Sequence, residues 1–198
     1  MKTRIAVVAV ALLAGIGLLA GCTKGPSPTE TPTPTQTEVA SSGKPITTQR
    51  GVTIQDATMG HVIQITAFLN DLPISADKSA QFAGSLKGGS VVALHVIATA
   101  GAKYFTYLYD TNFTLSCVGM DPAIQLKPNT SNFKDDLVAA GYTAWENPIQ
   151  GTSMDGWMTY IVPTTKYPIG CSVTYSRDKQ DTPSGLPLDA FTQTVALN

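Results

Sequence analysis

Beyond residue 50 the chain is a succession of short stretches in which apolar and polar residues alternate, separated by Gly, Pro, Asn and Asp. A period of two marks a half-buried strand, because successive side chains leave opposite faces of the sheet. Gly51 to Thr58 alternates in this way until Met59-Gly60 interrupts it. The β-branched stretch His61 to Leu69 predicts a second strand, ended by Asn70-Asp71-Leu72-Pro73. Residues 74–88 are mixed and Gly-rich, with one or two helical turns expected over Ser75 to Phe82. Ser90 to Ala100 carries Val91, Val92, Leu94, Val96 and Ile97 and reads as a long central strand closed by Gly101.

Tyr104 to Tyr109 is aromatic and predicts a short strand or a loop. Phe113, Leu115 and Cys117 share one face of the next strand. A Pro-punctuated crossover from Asp121 leads to a short helix over Phe133 to Ala140, capped by Ser131 or Asn132 and closed by Gly141. Trp145 and Asn147-Pro148 fall in a loop. Gly156 to Val162 predicts a strand whose ladder Pro163 stops. Ile169, Cys171, Val173 and Tyr175 line one side of another, Arg177 to Pro187 reads as a polar loop, and Ala190 to Leu197 is a C-terminal strand. Seven or eight short strands, little helix and a turn signal roughly every ten residues predict an all-β sandwich.

The first fifty residues follow other rules. Lys2 and Arg4 precede an uncharged apolar run from Ile5 to Leu19, of signal-sequence length and too short for a membrane-spanning helix of about 20 residues. Leu19-Ala20-Gly21-Cys22 closes that run and resembles a bacterial lipobox, in which the Cys thiol takes a diacylglycerol and becomes the new N-terminus. Two or more acyl chains, palmitate among them, make such an anchor stable. Residues 1–21 are then a signal peptide, and the mature protein belongs on the extracytoplasmic face of the cell membrane. From Cys22 to Gln49 the chain has almost no large apolar residue and alternates Pro with Thr and Ser. Such a segment buries too little surface to offset its ordering entropy and reads as a disordered tether. Extended at ~3.1 Å per residue, the 27 residues from Thr23 to Gln49 reach roughly 80 Å. Residues 50–198 remain as one domain.

Composition narrows the function. Loss of Lys2 and Arg4 leaves 11 basic against 14 acidic side chains, scattered without a patch, which speaks against nucleic acid as a partner. With Cys22 given to lipid, Cys117 and Cys171 remain, and two cysteines in an exported domain are expected to pair. Both point inward from separate strands, so the bridge is expected to pin sheet to sheet, and its loop of about 55 residues is worth roughly 4 kcal/mol on the chain-entropy model.

A long Val-rich strand over Gly89 to Ala98 is followed by Phe113-Thr114-Leu115, Gly141-Tyr142-Thr143, the segment Gly156 to Pro163, and Val173-Thr174-Tyr175. This succession resembles a family of Gram-positive surface lipoproteins of unknown function, sometimes labelled telomeric-repeat-binding-factor-2-like. The most specific piece is Gly156-Trp157 through Tyr160 to Pro163. The fold this resemblance implies is immunoglobulin-like, similar to a mycobacterial immunoprotective extracellular protein. It implies no activity and no catalytic residues, and residues 70–88 are longer than the family's usual loop.

Chemistry-bearing residues are few. His61 opens a strand and His95 lies within one between Leu94 and Val96; neither has a partner in local sequence for a metal or nucleophile site, and His95 reads as structural. Ser75-Ala76-Asp77-Lys78 matches the Ser-x-x-Lys nucleophile motif but lacks its companion elements. Asp155, Asp178 and Asp181 are too thin a set for calcium, which takes six to eight oxygens. No metal or cofactor is expected. Tyr104, Tyr107 and Tyr109, with Trp145, are the expected contact residues, since such rings serve where one side is apolar and the tip is wet. The expectation is a non-catalytic module binding a protein or cell-wall partner; the alternative is a wall-associated hydrolase, which would need paired carboxylates or a nucleophile beside His.

Overall fold

The computed structural model describes residues 51–104, 106–121, 124–163, 170–182, 185 and 187–197. The expected signal peptide, the expected lipidation site Cys22 and the expected tether lie outside the described residues, as do Phe105 and Ile169.

Among the described residues, seven strands build two antiparallel sheets. The first holds β1 (Val52–Asp56), β2 (His61–Leu69), β3 (Ser90–Thr99) and β5 (Ser153–Val162), in the order β1-β2-β3-β5. The second holds β4 (Phe113–Ser116), β6 (Ser172–Arg177) and β9 (Phe191–Ala196), in the order β4-β6-β9. Between β6 and β9 in the chain, Gln180–Asp181 (β7) pairs with Pro187–Leu188 (β8) where a polar loop was expected over Arg177 to Pro187. Four strands facing three is the division of an immunoglobulin constant-type domain. Here the first three strands run as one meander, and β4 crosses to the other sheet before β5 returns.

Alternation explains the packing. Ile54 of β1, Ile63 and Ile65 of β2, Val92, Leu94 and Val96 of β3 and Met158 and Tyr160 of β5 point inward. They meet Phe113, Leu115, Val173 and Tyr175 of the second sheet. β-branched and aromatic side chains suit such a pleated, half-buried surface. The outer face of the first sheet carries a second apolar cluster, where Val91, Ala93 and Trp157 lie under Leu72, Phe133 and Leu137. β3 is therefore buried on both faces from Ser90 to Leu94 and opens to solvent beyond.

Two short helices support that cover. In α1 (Ala76–Gln81) the Ser75 hydroxyl accepts from the Lys78 N–H at 3.4 Å, so the Ser-x-x-Lys match is a helix cap. A 3₁₀ turn over Thr130–Phe133 leads into α2 (Lys134–Ala139), and neither Ser131 nor Asn132 caps it. The carboxylate of Asp136 instead reaches out of α2 and accepts the Ser75 N–H at 2.6 Å, tying the two helices together. Gly141 ends α2 at φ +85°, where a side chain would be strained.

Cys117 and Cys171 are bonded. The bridge does not pin sheet to sheet as expected. Cys117 follows β4 and Cys171 precedes β6, and these strands are neighbours, with Ser116 opposite Ser172. Shared inward parity fixes which way the cysteines point and says nothing of whether their strands pair or face each other.

A buried ion pair also crosses from one sheet to the other. Asp56 of β1 accepts from Arg177 Nε of β6 at 2.9 Å, with side chains 0% and 4% exposed. Asp56 also accepts the Met59 N–H at 3.1 Å, and Arg177 Nη1 donates to the Asp178 carbonyl at 3.2 Å. Arg177, expected at the start of a polar loop, is the buried end of β6. His61 lies beside the pair, its Nδ1 accepting the Gly101 N–H at 2.9 Å. Burial pulls its imidazole below the ordinary histidine value; Asp56 opposes the shift and Arg177 adds to it.

Candidate functional site

Two surfaces carry chemistry. The first is the loop between β3 and β4. Leu108 is fully buried and its N–H bonds the Pro148 carbonyl at 3.0 Å. Alternation about Leu108 turns Tyr107 and Tyr109 outward, 39% and 47% exposed, with ring centroids 5.5 Å apart. Tyr107 bridges to Ile149, which is itself exposed, and the Asp110 N–H donates to Asn147 Oδ1 at 2.8 Å. The loop is therefore held at several points while its aromatic faces stay in water. Tyr104 is half-buried, with Lys103 Nζ 5.0 Å from its ring centroid.

Trp145 does not join this shelf. It is 5% exposed, packs edge-on against Phe113 with centroids 6.2 Å apart, and donates from Nε1 to Asn147 Oδ1 at 3.0 Å. The cause lies in the backbone. Residues 143–145 run alongside β5, with Trp157 N–H bonding the Thr143 carbonyl and Trp145 N–H the Trp157 carbonyl. That pairing makes the predicted loop an extension of the sheet and turns the indole into the core.

The second surface is the open half of the first sheet's outer face. His95 of β3 stands opposite Trp157 of β5 in register, and the rings stack at 4.9 Å and 25°. Tyr142 packs on Trp157, with centroids 4.6 Å apart. His95 Nε2 lies 2.6 Å from Asp155 Oδ1, two residues back along β5, and Nδ1 lies 2.6 Å from Thr66 Oγ1 of β2. A carboxylate only accepts, so the Nε2 proton goes to Asp155, and Nδ1 of the neutral ring accepts the Thr66 hydroxyl proton. Thr66 is aimed there by a bulge. Ile65 pairs with Val96 and Ala67 with His95, leaving Thr66 as the extra residue of β2. Ile65 therefore points inward, Thr66 and Ala67 both face outward, and Phe68 returns to the core.

These contacts amend the expectation that His95 has no partners. The partners are 29 and 60 residues away in sequence and become neighbours only through strand pairing. One signal for the bulge was present: the phase of the apolar residues slips between Ile65 and Phe68. Asp155, weighed for calcium, is paired with His95; Asp178 and Asp181 are exposed, and no group of three or more potential metal ligands occurs among the described residues. An open cleft of about 660 Å³ adjoins Tyr142, lined also by Lys134, Val138, Glu146 and Met154. Lys134 and Glu146 pair across it at 3.0 Å.

No protein-family model and no curated protein matches the chain. Among solved structures the chain is similar to a candidate lipoprotein (ycdA) of Bacillus subtilis, at 12% identity and a TM-score of 0.44, covering 75% of this chain. It spans only 39% of that protein's length. It is also similar to a protein of unknown function from Listeria monocytogenes, at 11% identity and a TM-score of 0.48, covering 79% of this chain and 88% of the other. No helix among the described residues is long and apolar enough to cross a membrane.

Proposed function

We propose that this chain is a lipid-anchored surface protein, of the Gram-positive lipoprotein family it resembles, whose β-sandwich captures a protein or cell-wall partner without chemistry at the contact. The lipobox at Cys22 and the Pro/Thr-rich tether support the placement: an anchor in the membrane, then a spacer of roughly 80 Å. The observation that carries the binding role is the pair Tyr107–Tyr109, exposed, mutually packed and mounted on a loop pinned by Leu108. Rigid tyrosines give large contact area at low entropic cost. Ile149 extends the shelf with an apolar edge.

The test is cross-linking on intact cells followed by recovery of the bound partner, with Tyr107→Ala and Tyr109→Ala compared to the parent. Loss of an anchor at a hot spot costs about 2 kcal/mol or more of binding, some thirtyfold in affinity. Undiminished capture by both variants, each folded, would remove this shelf from the site. The hydrolytic alternative is favoured by one observation, the Thr66–His95–Asp155 array. Of the wall chemistries, glycoside cleavage calls for two carboxylates flanking the bond, whereas a hydroxyl, an imidazole and a carboxylate in line suit acyl transfer.

A further inference from the structure

The geometry points to Thr66 as an acyl-accepting nucleophile, with His95 as its general base and Asp155 as the group that orients the base. It rests on the hydrolytic alternative and does not depend on the tyrosine shelf. Three observations converge. The hydroxyl–imidazole and imidazole–carboxylate distances are both 2.6 Å, within the reach that nucleophile, base and orienting group require. Trp157 lies flat against the imidazole and fixes its plane, so both ring nitrogens keep their partners. The bulge at Thr66 takes one residue out of the ladder and delivers its hydroxyl to the base.

The reaction follows from these roles. Thr66 Oγ1 attacks the carbonyl carbon of an ester while its proton passes to His95 Nδ1. The imidazolium is held by the Asp155 carboxylate at Nε2. Collapse of the tetrahedral species breaks the bond to the alcohol oxygen, which takes the proton from Nδ1 and leaves. An O-acyl-Thr66 remains. Water, deprotonated by the same nitrogen, then attacks the acyl carbon, releasing a carboxylic acid and restoring the hydroxyl. The Asp155 side chain is 66% exposed and His95 23%, so the array opens on a sheet face and is not enclosed. Such a site fits an ester displayed on a larger molecule, an O-acyl group on a polymer for instance, which brings its own binding surface.

The experiment uses the full chain in detergent micelles with p-nitrophenyl acetate as the acyl donor. Peptide mapping by mass spectrometry should place an acetyl group on Thr66, with release of nitrophenolate. His95→Gln should slow acylation at least about 100-fold, the scale of a general base. Thr66→Val should abolish the label, and Thr66→Ser should restore it. Asp155→Asn should slow acylation while leaving the melting temperature unchanged, which separates orientation of the base from support of the fold. Acetyl groups found only on lysines or on His95 itself, or nitrophenolate release that folded Thr66→Val leaves unchanged, would overturn the assignment. A negative result here leaves partner capture at Tyr107 and Tyr109 untouched, and loss of capture leaves Thr66 acylation untouched.

Discussion

Replacing Asp56 by Asn tests the ion pair that crosses between the two sheets. Asn keeps the shape and can still accept the Met59 N–H that Asp56 Oδ1 takes at 3.1 Å. What it removes is the negative charge and the second acceptor oxygen, Oδ2, 2.9 Å from Arg177 Nε; an amide Nδ2 would face that donor instead, where both side chains are almost wholly out of water. A buried guanidinium left without its counter-charge costs about 3–5 kcal/mol, because its desolvation is no longer offset. With the Met59 bond retained, the lower end, about 3 kcal/mol, is expected. For a domain of this size that lowers Tm by about 10 °C. The assay is urea unfolding under oxidising conditions, completed as a cycle with Arg177→Met and the double variant. Removing both charges should recover at least half of the loss, since a buried pair is often worth little against apolar replacements. A loss below about 1 kcal/mol in Asp56→Asn, with coupling under about 0.5 kcal/mol, would refute the reasoning, because contacting residues should couple more strongly than that.

The depressed His61 pKa gives a pH dependence. Above about pH 6.5 the imidazole is neutral in both folded and unfolded chains; as pH falls below that value the unfolded chain binds a proton that the folded one refuses. Stability should therefore fall with decreasing pH, by up to about 1.4 kcal/mol per pH unit, until the folded value is passed. His61→Asn, which can still accept the Gly101 N–H, should flatten this part of the urea-measured profile; an unchanged slope would assign the dependence elsewhere. Replacing Cys117 and Cys171 together by Ala should cost roughly 4 kcal/mol on the chain-entropy model, and thiol labelling of the unfolded, unreduced parent should find neither cysteine free. Trp145→Ala should cost about 3–5 kcal/mol in thermal unfolding, as expected of a core indole; a cost under about 1 kcal/mol would return Trp145 to the surface.

Local pattern in the chain determined most of the elements. Alternation located β2 at His61–Leu69, and the Val-rich run located β3 within one residue of its end. The inward parity of Phe113 and Leu115, and of Val173 and Tyr175, was legible because each strand is a local object with period two. The outward turn of Tyr107 and Tyr109 follows from the same rule. The burial of Asp56 on the side of Ile54 was not read from the chain, and nothing local could supply its partner, 121 residues away.

Tertiary structure decided which strands meet. That choice made the disulfide a staple between neighbours in one sheet, buried Trp145 by pairing residues 143–145 with β5, and set Thr66, His95 and Asp155 in one line from three strands. The physical reason is the range of each interaction. Side-chain direction along a strand is fixed by backbone geometry over two or three residues. Register and sheet partnership are fixed by apolar burial and ladder hydrogen bonds between segments far apart in the chain, and a single extra residue at Thr66 changes which side chains face out.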